Sequence, residues 1–301
     1  MDNSFENKTS LNRKTRNMGI IAMSLAGILW GTSGTISRFM PEGATPLTIA
    51  WTRTIVSGLI LGAISTRNGR FSKVLKSKYA IMTGLCVTTN QLGFFMAIDK
   101  LGVALSTMLV IGSSLIIEGI IDCLLGERPT KLWWCAAAIG VIGTALISEG
   151  GPGTSFNVLG LVFGITGGLG YSLVGLGLKK MRLEGFDGLE SNAASMLYAA
   201  LIIFPFAVRH LSWLASYEAI APALALGVIS MAIPYCLFSA ALIRISLSQS
   251  YAIGLLEPFT AGILGLYLLG ERISFIAAIG MAALACCMIL SAVDAILTSD
   301  G

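Results

Sequence analysis

A glutamate and a proline stand next to each other inside an apolar run of the chain. Glu257 and Pro258 interrupt the segment LLEPFTAGILGLYLL, residues 255–269. Proline lacks an N–H and removes one helical hydrogen bond, which frees an upstream carbonyl. A carboxylate beside a freed carbonyl could bind a proton, another cation or an ammonium group. Alternatively, Glu257 is protonated or bonded to neighbouring backbone and only stabilises a kink, and the sequence leaves both interpretations open.

Three further charged residues lie in apolar surroundings. Arg53 presents a planar fork that suits a carboxylate or a phosphate, although its long stem could instead lift the head group to the outer membrane interface or let it pair with a helix end. Glu118 and Asp122 are four residues apart and therefore share one helix face. Negative charge near a helix carboxyl terminus needs cationic partners. These two residues are a candidate cytoplasmic gate or a structural salt-bridge cluster.

Uncharged polar and aromatic residues at comparable depth complete a candidate substrate-binding set. The full set is Trp30, Arg53, Asn90, Gln91, Phe94, Tyr171, Tyr235, Tyr251 and Glu257. For any single aromatic residue, packing between helices is the competing interpretation. Pro234 and Pro258 are predicted helix breaks. Four aromatic residues at predicted helix ends are interpreted as interfacial anchors, namely Trp133, Trp134, Trp213 and Tyr217.

The elements that carry these residues are predicted to be membrane-spanning helices. Of the 301 residues, 55% are hydrophobic and only 12% are charged, whereas an ordinary soluble domain has about 25% charged residues. A bilayer core about 30 Å thick needs roughly 20 mainly apolar residues per helix. Such runs cover residues 18–37, 46–65, 79–98, 102–123, 131–148, 157–177, 190–208, 221–243, 247–269 and 273–296. We therefore expect an all-α membrane protein with ten transmembrane helices.

Other kinds of site find little support in the composition. The six cysteines all fall in apolar runs without metal-ligand spacing, and the single histidine falls in a predicted outer loop. The basic residues are spread among loops and form no patch for nucleic acid. We expect no metal, no cofactor, no nucleic-acid partner and no enzymatic activity. The expected partners are the lipid bilayer and a small-molecule substrate.

Lysine and arginine in short loops report the orientation of the helices. With the amino terminus placed in the cytoplasm, the inner segments carry fifteen of the 20 basic residues and the outer segments carry four, while Arg53 lies within a helix. This bias predicts a multi-pass protein of the plasma or inner membrane whose two termini both face the cytoplasm.

The chain repeats itself at an offset of 144 residues. The motif LLGER occurs at 124–128 and again at 268–272, and Phe94 falls on Phe238. An odd number of helices per repeat inverts the second copy, and inverted repeats with a site near the midplane are typical of secondary transporters. The predicted units are a cytoplasmic tail at 1–17, five-helix repeats at 18–150 and 151–297, and a carboxyl-terminal tail at 298–301.

Three stretches carry a resemblance to a known family. LAGILWGTSGTISR in the first helix, WTRTIVSGLILGA in the second and the twice-placed LLGER resemble the EamA-type families of the drug/metabolite transporter superfamily, over nearly the whole chain. As a departure from the repeat, Ser113 and Ser114 stand opposite Glu257 and Pro258. The resemblance implies a ten-helix transporter that moves small polar metabolites, often amino acids or related compounds outward, without ATP hydrolysis.

The sequence therefore favours a secondary active transporter that exports small polar or zwitterionic metabolites, such as amino acids, by alternating access. In the most specific form of this hypothesis, Arg53 binds the substrate carboxylate, Glu257 binds the ammonium group, and a proton or counter-substrate couples transport. The alternatives are a transporter of other organic solutes or drugs, a channel or non-transporting scaffold, and a membrane enzyme acting on a lipid.

Overall fold

The protein is a bundle of α-helices. The computed structural model describes residues 3–66, 69–124, 130–147, 157–244, 253–254 and 256–299, and this part of the chain contains no strand. The helices of the first half are α1 Asn3–Gly31, α2 Ser33–Ser37, α3 Pro46–Ser65, α4 Phe71–Val74, α5 Lys78–Leu101, α6 Val103–Leu124 and α7 Lys131–Ile147. Those of the second half are α8 Val158–Leu183, α9 Gly188–Ala207, α10 Tyr217–Gly227, α11 Ile233–Leu242, α12 Leu256–Ile263 and α13 Phe275–Ser299. The prediction of an all-α protein is confirmed.

Four shorter segments connect or extend these helices. The 3₁₀ turns are Val208–His210 and Ser212–Ala215, between α9 and α10. The π-helical segments are Val228–Ala232, between α10 and α11, and Leu264–Leu268, after α12.

Polar residues and glycine set several helix ends. Thr45 and Thr48 cap α3 reciprocally, since each side chain accepts a hydrogen bond from the other residue's backbone N–H. Asp187 and Glu190 form the same arrangement at the start of α9. Gly102, with a φ of 85°, ends α5 and lets the chain turn directly into α6. Local sequence therefore fixes where these helices begin and end.

The apolar lengths of the helices follow the predicted runs. Segments long and apolar enough to cross a membrane are Thr15–Ser37, Pro46–Ser65, Lys78–Leu101, Val103–Ile121, Val158–Leu183, Gly188–His210 and Tyr217–Ala241. Shorter apolar helices are Lys131–Gly143, Phe259–Leu268 and Ala278–Leu290. Each overlaps one predicted run. The chain is therefore a multi-pass membrane protein, and ten crossings stay a prediction.

Contacts between the two halves of the chain occur in pairs. α5 packs along α8, and their counterparts at the 144-residue offset, α11 and α1, pack along each other. In the same way α6 contacts α8, and α12 contacts α1. α3 packs on its own counterpart α9, and α7 packs on α13. If each helix is replaced by its counterpart in the other half, the α5–α8 contact becomes the α11–α1 contact, and the α6–α8 contact becomes the α12–α1 contact. This correspondence is what an approximate two-fold relation between the halves requires.

Glycines let helices from the two halves touch through their backbones. A Cβ atom added to Gly93 of α5 would lie 2.5 Å from the backbone nitrogen of Gly167 in α8, and one added to Gly170 would lie 2.4 Å from that of Asn90. A Cβ would also be crowded at the regularly spaced glycines of α8, which are Gly160, Gly164 and Gly168. Small residues at such crossings allow close approach between membrane helices.

A carboxylate from the second half of the chain caps the amino terminus of α6. Glu271 accepts hydrogen bonds from the backbone N–H of Val103 at 2.5 Å and from that of Ala104 at 2.9 Å. An anion at a helix amino terminus satisfies N–H groups that have no partner within the helix and complements the helix dipole. Side chains at Gly102 and Gly265 would collide with this carboxylate, at 2.8 and 2.6 Å. The glutamate of the second LLGER copy therefore joins the two halves, while its counterpart in the first copy lies outside the described residues.

The prediction that Trp213 is an interfacial anchor is wrong. Its side chain is 5% exposed, and its indole N–H donates to the hydroxyl of Thr48 at 3.1 Å. A buried indole needs such a partner, and the cap of α3 supplies one. Trp133 is half-buried, whereas Trp134 and Tyr217 are 60% and 89% exposed, in keeping with an interfacial position.

We expect Gly170→Ala to destabilise the bundle by about 1–3 kcal/mol, because the new methyl group meets α5 backbone that cannot move aside cheaply. Gly175→Ala in the same helix is the matched control, since nothing lies within 4 Å of its Cβ position. Thermal unfolding of the two purified variants at one scan rate measures the difference. Equal midpoints would contradict the assigned α5–α8 crossing.

Candidate functional site

A cavity of about 170 Å³ lies between the two halves of the bundle. Helices α1, α3, α5, α6, α8 and α11 and the segment at the start of α12 supply its walls. Most of the predicted substrate-binding residues line it, namely Trp30, Arg53, Asn90, Gln91, Phe94, Tyr171, Tyr235 and Glu257. The structure therefore brings these residues together, and their contact with a substrate stays a prediction.

Some predicted residues lie outside the described part of the chain. Tyr251 is one of them, and so are the side chains of Glu118, Asp122 and Pro258. The backbone of Pro258 belongs to α12. The cytoplasmic gate and the helix break at Pro258 therefore stay predictions.

Arg53 is buried and is held by groups from both halves. It is 6% exposed, and its Nη1 donates to Oε1 of Gln91 at 3.1 Å. Its Nη2 donates to the hydroxyl of Ser33 at 2.8 Å and to the backbone carbonyl of Ser230 at 2.9 Å. The ring of Phe95 lies 5.8 Å from the guanidinium carbon, within the range of a cation–π contact. The interpretation in which Arg53 reaches the outer interface is wrong, because these partners hold its head group inside the bundle.

Pro234 removes the α-helical donor of the Ser230 carbonyl that accepts from Arg53. In an α-helix the carbonyl of residue 230 would accept from the N–H of residue 234, and proline has no N–H. Pro234 lies in the first turn of α11, directly after the π-helical segment Val228–Ala232. The proline is visible in the sequence, but sequence alone does not connect it with Arg53, and it does not indicate that Ser33 and Phe95 contact the guanidinium.

Two amides extend the Arg53 network to α8. Gln91 donates from Nε2 to Oδ1 of Asn90 at 3.0 Å, and Asn90 donates from Nδ2 to the carbonyl of Gly167 at 3.1 Å. The hydrogen bonds therefore run in one direction, from Arg53 to Gln91, from Gln91 to Asn90 and from Asn90 to the backbone of α8. The amides of Gln91 and Asn90 bridge helices as well as line the cavity.

Glu257 is held against α1 by two glycines. A Cβ atom on Gly31 would lie 2.7 Å from the carbonyl oxygen of Glu257, and one on Gly27 would lie 3.2 Å from Cβ of Leu256. α1 therefore lies directly on the start of α12. Among the described residues that line the cavity, Glu257 is the one with a carboxyl group and Arg53 is the one with a basic side chain.

Three aromatic rings form a corner of the cavity. The ring centroids of Trp30 and Tyr235 are 5.3 Å apart with an interplanar angle of 71°, and those of Trp30 and Phe238 are 5.6 Å apart at 58°. Edge and tilted arrangements of this kind are favourable packing geometries. The corner joins α1 to α11, and its three rings line the same cavity as Glu257.

The fold and cavity define a helical membrane protein with a polar and aromatic site between two halves. Its sequence matches the EamA-like transporter family over residues 17–149 and 158–293. The chain therefore belongs to the EamA-like transporter family.

Similar proteins carry the word transporter in their names. The chain is 27% identical to the uncharacterized transporter YwfM of Bacillus subtilis, over 83% of this chain and 85% of that protein. It is 26% identical to an uncharacterized transporter of Archaeoglobus fulgidus, over 87% and 92%. It is 25% identical to the uncharacterized inner membrane transporter YicL of Salmonella typhimurium, over 84% and 87%.

A solved crystal structure has a similar fold. It superposes with a TM-score of 0.65 at 17% sequence identity, covering 94% of this chain and 99% of that chain. At this level of identity the likeness concerns the fold alone.

We expect Arg53→Lys to destabilise the protein by about 1–3 kcal/mol. Lysine keeps the charge, but a single ammonium group cannot reach all three acceptors, so buried oxygens lose their partner. Arg209→Lys, at an exposed position, is the control and should change stability by less than about 0.5 kcal/mol. Thermal unfolding in detergent compares the two variants, and equal stability would show that the Arg53 network does not join the halves.

Proposed function

We propose that the protein is a secondary active transporter that exports small polar metabolites bearing an amino group, amino acids among them. The observation that carries this proposal is the cavity between the halves, with one carboxylate, one guanidinium and a corner of aromatic rings. Ionisable groups inside a membrane bundle are costly and typically mark a transport path. The proposed substrate-binding residues are the described members of the predicted set, with Glu257 facing the amino group.

Two features support alternating access between inverted repeats. The paired contacts between the halves fit an approximate two-fold relation, which inverted repeats would produce. The cavity lining also extends to Leu178 and Gly254, near the predicted cytoplasmic helix ends, whereas Glu271 joins the halves at the predicted outer end. Separating Glu271 from the start of α6 would open the cavity to the other side of the membrane.

The proposed topology places both termini in the cytoplasm of the plasma or inner membrane. It rests on the excess of lysine and arginine in the predicted inner loops. A proton or a counter-substrate is the proposed source of coupling energy, because Glu257 offers a site that either a proton or a cationic group could occupy.

A second candidate is a transporter of other organic solutes or drugs. The wall of the cavity contains several aliphatic side chains beside the polar groups, including Val87, Val110 and Ile111. Such a surface suits a substrate with a larger apolar part.

Counterflow of radiolabelled amino acids in proteoliposomes tests the proposed function. We expect saturable exchange in the wild type and a decrease of at least about tenfold in Glu257→Gln, because the amide keeps the shape but cannot carry the negative charge. Glu218→Gln, an exposed position at the start of α10, should exchange like the wild type. Undiminished exchange by Glu257→Gln would remove this carboxylate from the mechanism, and no exchange by the wild type with any amino acid would contradict the proposal.

A further inference from the structure

The contact between Glu271 and the start of α6 depends on glycine at two neighbouring positions. The carboxylate accepts from the backbone N–H groups of Val103 and Ala104, one at each oxygen. A Cβ atom on Gly102 would lie 2.8 Å from Oε1, and one on Gly265 would lie 2.6 Å from Oε2. The backbone therefore encloses both oxygens closely. We call this interaction of Glu271 with the two N–H groups the outer contact, because it lies at the predicted outer end of α6.

The carboxylate of the outer contact is carried by a short irregular connection of the second half. The π-helical segment Leu264–Leu268 packs on α6 and on α2. Glu271 follows this segment after Gly270, which has a φ of 64°, and its own N–H donates to the carbonyl of Gly265 at 3.0 Å. π-Helical turns occur frequently at functional sites. A carboxylate on such a connection can change partners while the flanking helices stay intact.

Arg38 shares a second pocket with the carboxylate. This pocket has a volume of about 340 Å³ and is lined by Arg38, Leu269 and Glu271. Arg38 follows α2 and is exposed, and its Nη2 donates to the backbone carbonyl of Ile98 at 2.7 Å. Arg38 and Glu271, which both belong to the described residues, form no ion pair with each other in this structure. The two opposite charges therefore face one space without touching.

The outer contact can open only if the carboxylate finds another partner. Withdrawal of Glu271 would leave a charged group and two helix-end N–H groups without their hydrogen bonds, which is costly. Water entering from outside could satisfy the N–H groups, whereas a guanidinium pairs with a carboxylate through two parallel hydrogen bonds. Lys100 is already paired with Asp99 at 2.8 Å. Among the described residues that line the pocket, Arg38 is the cation that could receive the carboxylate.

We propose that Glu271 and Arg38 form a two-position switch at the outer gate. While the cavity is closed to the outside, Glu271 caps α6. When the cavity opens to the outside, the carboxylate leaves Val103 and Ala104 and pairs with the guanidinium of Arg38. The two side chains therefore bias the outer gate in opposite directions. This inference rests on the proposed function and names the residues that control its outward-opening step.

The accessibility of a single cysteine in the cavity tests the switch. Ser114→Cys, in a variant without the six native cysteines, places a thiol of similar size on the cavity wall. The rate at which a membrane-impermeant methanethiosulfonate modifies it in intact cells reports how often the cavity opens outward. We expect Glu271→Gln to raise this rate at least about threefold, because an uncharged acceptor holds the N–H groups more weakly.

The switch predicts the opposite effect for the arginine. Arg38→Gln should lower the labelling rate at least about threefold, because the open state loses its ion pair while the outer contact is unchanged. Arg38→Lys keeps the charge and should label within about twofold of the wild type. If Arg38 only supported the end of α5 through the carbonyl of Ile98, its loss would loosen this corner. A raised or unchanged rate in Arg38→Gln would therefore overturn the inference.

Combining the two substitutions tests whether Arg38 acts through Glu271. Without the carboxylate Arg38 has nothing to exchange, so the double variant should label within about twofold of Glu271→Gln alone. An equal decrease by Arg38→Gln with and without the carboxylate would overturn the switch. Arg209→Gln, an exposed change at the predicted outer end and outside the lining of both pockets, is the matched control.

A glycine variant breaks the outer contact and keeps the charge. Gly265→Ala places a methyl group against Oε2 of Glu271 and should raise outward labelling at least about threefold. Because the carboxylate is still present, Arg38→Gln should lower the rate again in this background, where a decrease is measurable even if the wild type labels slowly. Gly262→Ala, whose Cβ would lie 3.7 Å from the Met281 side chain, is the control. Unchanged labelling in Gly265→Ala of wild-type thermal stability would contradict the assigned outer contact.

The inference and the proposed function fail in different ways. Opposite changes in labelling for Glu271→Gln and Arg38→Gln, together with no counterflow of any amino acid, would overturn the proposed transport and support the switch. Saturable counterflow together with unchanged labelling in both variants would support transport and overturn the switch.

Discussion

A guanidinium inside a membrane bundle must be satisfied by the protein, because lipid offers no hydrogen-bond acceptors to replace water. Arg53 meets this requirement at Nη1 and Nη2, which donate to a hydroxyl from α2, an amide from α5 and a backbone carbonyl from the π-helical segment before α11. The first two belong to one half of the chain and the third to the other. The bond to the carbonyl of Ser230 therefore forms only when the halves meet, and the cavity lies at that meeting point.

Several sequence features serve this arrangement. Pro234 removes the α-helical donor of the Ser230 carbonyl that Arg53 uses. The glycines of α5 and α8 bring these helices close enough for Asn90 to reach the backbone of Gly167. At the amino terminus of α6, Glu271 joins the same two halves by accepting from backbone N–H groups. The cavity is walled by both halves, as the proposed alternating access requires. The same structure therefore combines specific contacts between the halves with a polar cavity between them.

Most of the helices and most of the cavity lining could be predicted from the sequence, because an intramembrane charge and a run of apolar residues are strong local signals. The partners of Arg53 could not be predicted in the same way. Which oxygen a buried arginine reaches depends on how helices distant in sequence cross, and Ser230 contributes a backbone atom that its side-chain type does not reveal. The burial of Trp213 is not predictable from sequence for a related reason, since an aromatic residue at a helix end is exposed or buried according to the loop around it.

We propose that the two halves of the chain that wall the cavity are oppositely oriented in the membrane. Single cysteines at Arg128 and Arg272, one in each LLGER copy, test it most directly in a variant without the six native cysteines. Labelling of intact cells with a membrane-impermeant maleimide should reach the cysteine at Arg272 directly, and the one at Arg128 only after the membrane is permeabilised. Labelling of both positions from the same side would contradict the account.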